Sequence, residues 1–286
     1  MTDDTTLCFV TPSFSRDLER CRLLVESRRA CAPGIDHYLV IDKPDLSLFA
    51  ELADRHTIIV DSRELLDREL HKAWGNNGWW FGHRVLPLRG WITQQLYKLS
   101  MPRVSDASVF VNIDSDCVFV RPFEPGRLFN DGMLGLPEVD YRNDEICEWS
   151  LEAAALTGVT PPTRPNNYVG NMIPWRAKVV GALTDRIAAT TGLPWQIALG
   201  RRRTFSEYML YGIWVRCGAG FLESGHFADP RPLVHTNWDR TLASDDDFER
   251  FFSQLPDEAL AVMVHSKDGI EPTHYARFAR DRWSKS

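Results

Sequence analysis

Short apolar runs and helical periodicities take turns along the first hundred residues. The segment TLCFVTP at 6–12 predicts a strand, whereas over 16–30 Leu18, Cys21, Leu24 and Val25 recur at helical spacing with charges between them. HYLVID at 37–42 and TIIV at 57–60 repeat the strand signal, each followed by a polar turn and a predicted helix, at 45–54 and 61–73. Strand and helix in alternation predict an α/β fold with a mainly parallel sheet covered by helices.

The pattern then changes. WGNNGWWFGHRVLPLR at 74–89 mixes glycine, asparagine and tryptophan, the composition of an irregular aromatic loop; it reads either as a lid or acceptor-binding loop or as a loop pinned by core tryptophans. GWITQQLYKLSMPRV follows as a helix with Ile92, Leu96 and Leu99 on one stripe and Trp91, Gln94 and Lys98 on its neighbour. SVFVNI at 108–113 predicts another strand. Beyond it NDGMLGLPEV reads as strand and turn, 144–157, 175–191, 205–216 and 274–283 as helices, and RPLVHTNW and LAVMVHSK as late strands. No repeat, low-complexity tract or long linker divides the chain, so a single domain over 1–286 is expected.

Composition sets limits on this picture. A chain of 286 residues, 44% of them hydrophobic, has the apolar material for one full core. A net charge of -6 gives no bulk electrostatic reason to bind nucleic acid or an anionic membrane, although GRRRTF at 200–205 is locally basic. Cys8, Cys21, Cys31, Cys117, Cys147 and Cys217 are scattered without a C-x-x-C pair, which predicts reduced thiols in a cytoplasmic protein. MTDDTTLCFVTPSF lacks the basic segment and long apolar core of a secretory signal, and no apolar stretch approaches the roughly 18–20 residues that span a bilayer. A position at the inner face of a membrane stays open if the acceptor is a lipid.

The chemistry starts at VFVNIDSDCVFVRPF, where Asp114 and Asp116 end an apolar run. Ligands of open α/β sheets sit beyond the carboxyl ends of the strands. Carboxylates this close repel unless a cation or hydrogen-bond donors compensate, and a divalent metal shared with phosphate, Mg²⁺ or Mn²⁺, meets that need. The alternative is a solvated turn capped by both side chains.

With TPSF after the first strand, GWITQQLYKL, the D-x-D segment, FSEYMLYGIWV and VMVHSK in this order, the sequence resembles GT-A fold nucleotide-sugar glycosyltransferases, closest to bacterial glycosyltransferase-like proteins. The resemblance implies a nucleotide-binding half over 1–125 and an acceptor-binding half over 126–286. It implies a nucleoside-diphosphate sugar donor, with a UDP-sugar favoured, and a carbohydrate, lipid-linked or small-molecule acceptor. Thr11 and Pro12 then lie near the nucleotide, Asp116 ligates the metal directly, and Asp114 binds ribose or metal. His265 completes the metal shell, with His235 as its rival, and Lys267 offsets diphosphate charge.

For transfer, Glu207 is the leading general base. Thr204 and Glu207 also match T-x-x-E, in which Glu207 only caps a helix. Asp229, Asp239 and the run Asp245–Asp247 are alternatives, the run reading better as a solvated helix start. Lys98, beside Gln94, is expected to stabilise the leaving diphosphate or hold the donor sugar. Asn167, Gly170 and Asn171 are candidates for the donor pocket or an ordinary turn. Arg201 to Arg203 form a basic turn that an anionic acceptor could meet. Two rival readings stand beside a hexosyl transferase: a haloacid-dehalogenase-like phosphatase with Asp114 as nucleophile, from D-x-D-x-V, and a binding protein without catalysis. Inverting and retaining outcomes are both open.

Overall fold

The computed structural model describes residues 5–72, 79–85, 87–238 and 242–283. In chain order its elements are β1 (Leu7–Ser13), α1 (Leu18–Cys31), β2 (Asp36–Ile41), α2 (Leu46–Phe49), β3 (Thr57–Asp61), β4 (His71–Lys72), β5 (Trp80–Phe81), α3 (Gly90–Ser100), β6 (Val109–Asn112) and β7 (Cys117–Phe119). There follow β8 (Phe129–Asn130), β9 (Met133–Pro137), α4 (Asp144–Thr157), β10 (Ile173–Arg176), α5 (Ala177–Thr191), α6 (Trp195–Gly200), α7 (Glu207–Trp214), α8 (Phe221–Ser224), β11 (His226–Asp229), β12 (Val234–Thr236), α9 (Asp245–Ser253), β13 (Ala261–Met263) and α10 (Pro272–Trp283). The architecture is mixed α/β, with a mainly parallel sheet flanked by helices. The chain forms two compact units, one of Met1–Thr6, Ser62–Phe110 and Leu128–Pro230, the other of Leu7–Asp61, Val111–Arg127 and Arg231–Ser286.

In the unit that begins at Leu7, β1, β2 and β3 pair in parallel, and the end of β6, from Val111 on, lies on the other side of β1. β1 is buried along almost its whole length, as its unbroken apolar run requires. Helix α1 is covered on two sides: Cys21 and Val25 pack with Leu39, Ile41, Phe49 and Leu52, while Leu23 joins Val118, Phe248, Phe252 and Val262. Its buried face therefore includes charged positions. Arg28, 2% exposed, donates to the Thr57 hydroxyl at 2.6 Å and faces Asp54 at 3.3 Å. A second sheet runs β12-β13-β7.

In the other unit β9 lies between β8 and β11, and α4 packs on α7. Asn143 caps α4 by accepting from the Ile146 amide at 2.8 Å, and Gly158 ends it in the left-handed region that glycine enters freely. Tyr168 lies flat on α7 where Gly212 supplies no side chain; a Cβ there would sit 2.1 Å from the ring. Trp175 stacks on Tyr211 with centroids 5.0 Å apart.

Two predicted helices come out differently. Over 45–54 there is only the short α2 between 3-10 turns. Over 61–73 there is a 3-10 turn, Ser62–Glu64, and then β4. Leu65, Leu66 and Leu70 are buried, as the pattern required, but the carbonyls a helix would use go to side chains. Arg103 and Gln196 donate to the Leu65 carbonyl, and Arg63 to those of Asp67 and Leu70. The aromatic segment is less irregular than expected where it is described. Trp80 pairs with Lys72 across β4 and β5, bridges Leu88 and is 3% exposed, a core tryptophan. Residues 74–78 of that segment lie outside the described residues.

Candidate functional site

The aspartates stand at the carboxyl edge of the parallel strands. Ile113 donates its amide to the Val10 carbonyl at 3.0 Å, and the Thr11 hydroxyl donates to the Ile113 carbonyl at 2.6 Å, so β1 and the end of β6 are tied side by side. Asp114 follows and is half-buried; Asp116 is 7% exposed and its carbonyl accepts from Val264 next to β13. Asp116 Oδ2 accepts from the Ser266 amide at 3.0 Å, while Oδ1 is buried without a partner. Burial first, then the charge of Asp114, then that of Asp17, push the Asp116 carboxyl up to about 7. An oxygen sealed from water with no donor is costly to keep anionic, and a bound cation would remove that cost.

His265, Ser266 and Lys267 lie on the same unit. His265 is held by its amide, which donates to Asn237 Oδ1 at 3.0 Å, and its ring lies 4.6 Å from that of the exposed Trp238. Its Nδ1 accepts from the Lys267 amide at 3.1 Å. A neutral ring then carries its proton on Nε2, so coordination through Nε2 would require the capping bond to open. Burial and Lys267 lower its pKa. Lys267 is exposed. The rival His235 stacks on Phe251, centroids 4.5 Å apart, as part of the apolar packing. Among the described residues no three His, Cys, Asp or Glu side chains form a ready-made metal shell. The expected set Asp114, Asp116 and His265 is therefore not preassembled.

Thr11 and Pro12, expected near the nucleotide, are buried at the end of β1. With the Thr11 proton committed to Ile113, its oxygen accepts from His37 Nε2 at 2.8 Å, and burial drives His37 down to about 3. Thr11 is a locked core contact.

In the other unit, α3 and α7 make a second polar centre. Lys98 Nζ donates to Glu207 Oε1 at 3.0 Å and to the Tyr208 hydroxyl at 2.8 Å, with the Lys98 and Glu207 side chains 7% and 5% exposed. Gln95 Oε1 accepts the Glu207 amide at 2.9 Å. The T-x-x-E cap is corrected here: Ser206, not Thr204, caps α7 by accepting from Met209, and Glu207 Oε1 accepts from Lys98. Gln94, half-buried, is one position off this contact.

The remaining candidates take ordinary places. Asn167 bridges Val139 and its side chain accepts from the Val169 amide at 2.9 Å, an Asx-type turn; Gly170 and Asn171 continue it, half-buried. Arg202 pairs with Glu152 at 3.3 Å, and Arg201 and Arg203 are exposed. Asp229 is buried against Gly135. Asp245 to Asp247 start α9, where Ser244 and Asp247 form a capping box. Asp239 lies outside the described residues. Asp114 follows β6 rather than the first strand, unlike the nucleophile of the phosphatase reading.

Four participants were not singled out from the sequence: Asp17, whose charge reaches Asp114 and Asp116, Asn237, which holds His265, and Gln95 and Tyr208, which frame the Lys98–Glu207 pair. Gln95 and Tyr208 adjoin residues that were singled out, and helical spacing from Lys98 could have found Gln95. Asp17 in SRDLER carried only the signal of an acid at a helix start.

Among solved structures, the WbbM bifunctional glycosyltransferase shares the fold at a TM-score of 0.51, with 9% identity over 100% of this chain and 51% of that one. This chain thus spans about half the length of WbbM. An active-site mutant of LgtC is similar at 0.47, with 10% identity over 97% of this chain and 95% of that one. Mouse xyloside xylosyltransferase 1 is similar at 0.48, with 12% identity over 93% of this chain and 100% of that one. At such identities the likeness concerns the fold alone: a GT-A-like, glycosyltransferase arrangement of strands and helices. No curated protein matches the chain. A family model matches residues 5–280, and the chain belongs to that family, described as a family of unknown function (DUF6492).

Proposed function

We propose that this protein is a metal-dependent glycosyltransferase of the hexosyl-transferring type, moving a sugar from a nucleoside-diphosphate sugar, UDP-sugar favoured, to an acceptor hydroxyl. The observation that carries the reading is Asp116: a carboxylate with one oxygen buried and unpaired, beside a second carboxylate, at the edge where an α/β sheet receives its ligand. The residues fit a divalent cation, since they offer oxygen atoms and surplus negative charge of the kind Mg²⁺ and Mn²⁺ accept. Asp116 and Asp114 would hold it, and once bound it would neutralise the departing diphosphate.

The protein's own part is positioning. The Ser266 amide fixes the Asp116 carboxylate, and Lys267, exposed one residue on, is free to swing toward phosphate. Glu207 is the proposed base: Lys98, whose ammonium also donates to the Tyr208 hydroxyl, donates to Glu207 Oε1 and orients the carboxylate, which would take the proton of the acceptor hydroxyl. Lys98, held by that pair, is proposed to offset charge at the sugar donor. The test is release of nucleoside diphosphate from UDP-, GDP-, CDP- and TDP-sugars with Mn²⁺ or with EDTA. Metal-dependent release from one donor class, lost in Asp116→Asn, is expected. Release that survives EDTA and the substitution would contradict the proposal.

A further inference from the structure

We propose that Trp238, braced by His265 beside the cation site, is the aromatic platform on which the nucleobase of the donor stacks. The inference rests on the metal-dependent reading above and assigns the residue that holds the other end of the nucleotide. The indole is 64% exposed, and its ring centroid lies 4.6 Å from that of His265 at an interplanar angle of 55°. The residue before it is pinned: Asn237, 1% exposed, accepts from the His265 amide at 3.0 Å and donates through Nδ2 to Asp268 Oδ2 at 2.7 Å. Trp238 is thus a large apolar side chain held out in solvent next to an anchored residue. The turn it rests on is the one whose Ser266 amide donates to Asp116 Oδ2 at 3.0 Å.

A single exposed apolar residue is ordinary. What marks Trp238 is its neighbours. His265 meets the indole with its ring and the Lys267 amide with Nδ1, so an aromatic face and an exposed lysine adjoin one imidazole. His265 is in turn one residue, ~3.8 Å between Cα atoms, from the amide that fixes Asp116. Asp116 points to a ligand independently, through its buried Oδ1 without a partner. A nucleoside diphosphate offers the matching groups: phosphates for a cation at Asp116 and for Lys267, and a flat π-face for the indole. Stacking needs only that face, so the platform adds affinity without choosing the base. A sugar ring or a lipid chain has no π-face to offer. His265 then serves as a brace, the role its occupied Nδ1 leaves to the ring. Phe14, 38% exposed at the end of β1, is the rival aromatic of this unit, and among the described residues it makes no ring contact.

The experiment titrates wild type, Trp238→Ala, Trp238→Phe and Phe14→Ala with UDP, GDP, CDP, TDP and inorganic pyrophosphate, each with Mn²⁺, and melts each chain without ligand. Wild type is expected to bind at least one of the nucleotides more tightly than pyrophosphate. Trp238→Ala should weaken that nucleotide about 5- to 150-fold, leave pyrophosphate unchanged and melt at the wild-type temperature, because the ring is mostly in solvent. Trp238→Phe, which keeps a π-face, should retain most of the affinity. Unchanged nucleotide affinity in Trp238→Ala overturns the inference, and if Phe14→Ala is the variant that loses it, the base sits at the end of β1. Equal losses of nucleotide and pyrophosphate overturn it as well, since Trp238 would then only prop the His265 turn. Failure of wild type to bind any of these ligands with Mn²⁺ overturns the metal-dependent reading itself.

Discussion

Lys98 and Glu207 are both closed off from solvent, so neither tolerates the loss of the other. Lys98→Met or Glu207→Gln alone should cost about 3–5 kcal/mol, because each leaves a buried charge or its donors unpaired, and the double substitution should recover much of that. Denaturant unfolding of the four chains measures it; additive losses would show the pair to be uncoupled. Activity separates the catalytic role: with nucleotide binding intact, Glu207→Gln should lower transfer by about 10²–10⁴-fold if the carboxylate is the base. His37 and His226 make a different prediction. Burial holds both near 3, while the unfolded chain takes up the proton near 6.5. Between those values the unfolded state binds more protons, so stability is lost as pH falls from about 6.5 toward 3, at up to ~1.4 kcal/mol per pH unit for each histidine. His37→Gln should flatten that slope in melts across the range; an unchanged slope would show that His37 is already protonated in the fold. At this scale Asp114 and Asp116 were legible because two acids that end an apolar run must be either solvated or neutralised by a bound cation. Asp17, Tyr208 and Asn237 were not, because their partners lie far along the chain.

Among the elements, β1, β2, α1 and α4 follow the hydrophobic pattern closely, since each buries most of one face or run. The segment 61–73 shows where the pattern stops deciding. Its leucines are buried as a helix would bury them, yet Arg63, Arg103 and Gln196 take the carbonyls, and the donors from α6 and the turn after α3 could not be read locally. Helix α7 carries a constraint of the same kind, since glycine in a helix is unfavourable by about 1 kcal/mol and Gly212 is present only because Tyr168 lies on it. Gly212→Ala should therefore destabilise by about 1–3 kcal/mol despite the better helix propensity. Tyr168→Ala should make the same substitution neutral or favourable. A stabilising Gly212→Ala in the native background would show that the ring is free to move aside.

Across the whole molecule, each compact unit gathers three separate stretches of chain, which is why no composition shift or linker marked a boundary. Among the described residues no helix is long and apolar enough to cross a membrane. The shared glycosyltransferase fold and the aspartates at the strand edge join in one claim, that diphosphate and cation bind together there. Isothermal titration of UDP into wild type and Asp116→Asn, with Mn²⁺ and with EDTA, tests it most directly. Binding by the wild type only with Mn²⁺, and none by the variant, is the expected result. Equal binding with EDTA, or binding that Asp116→Asn retains, would contradict it.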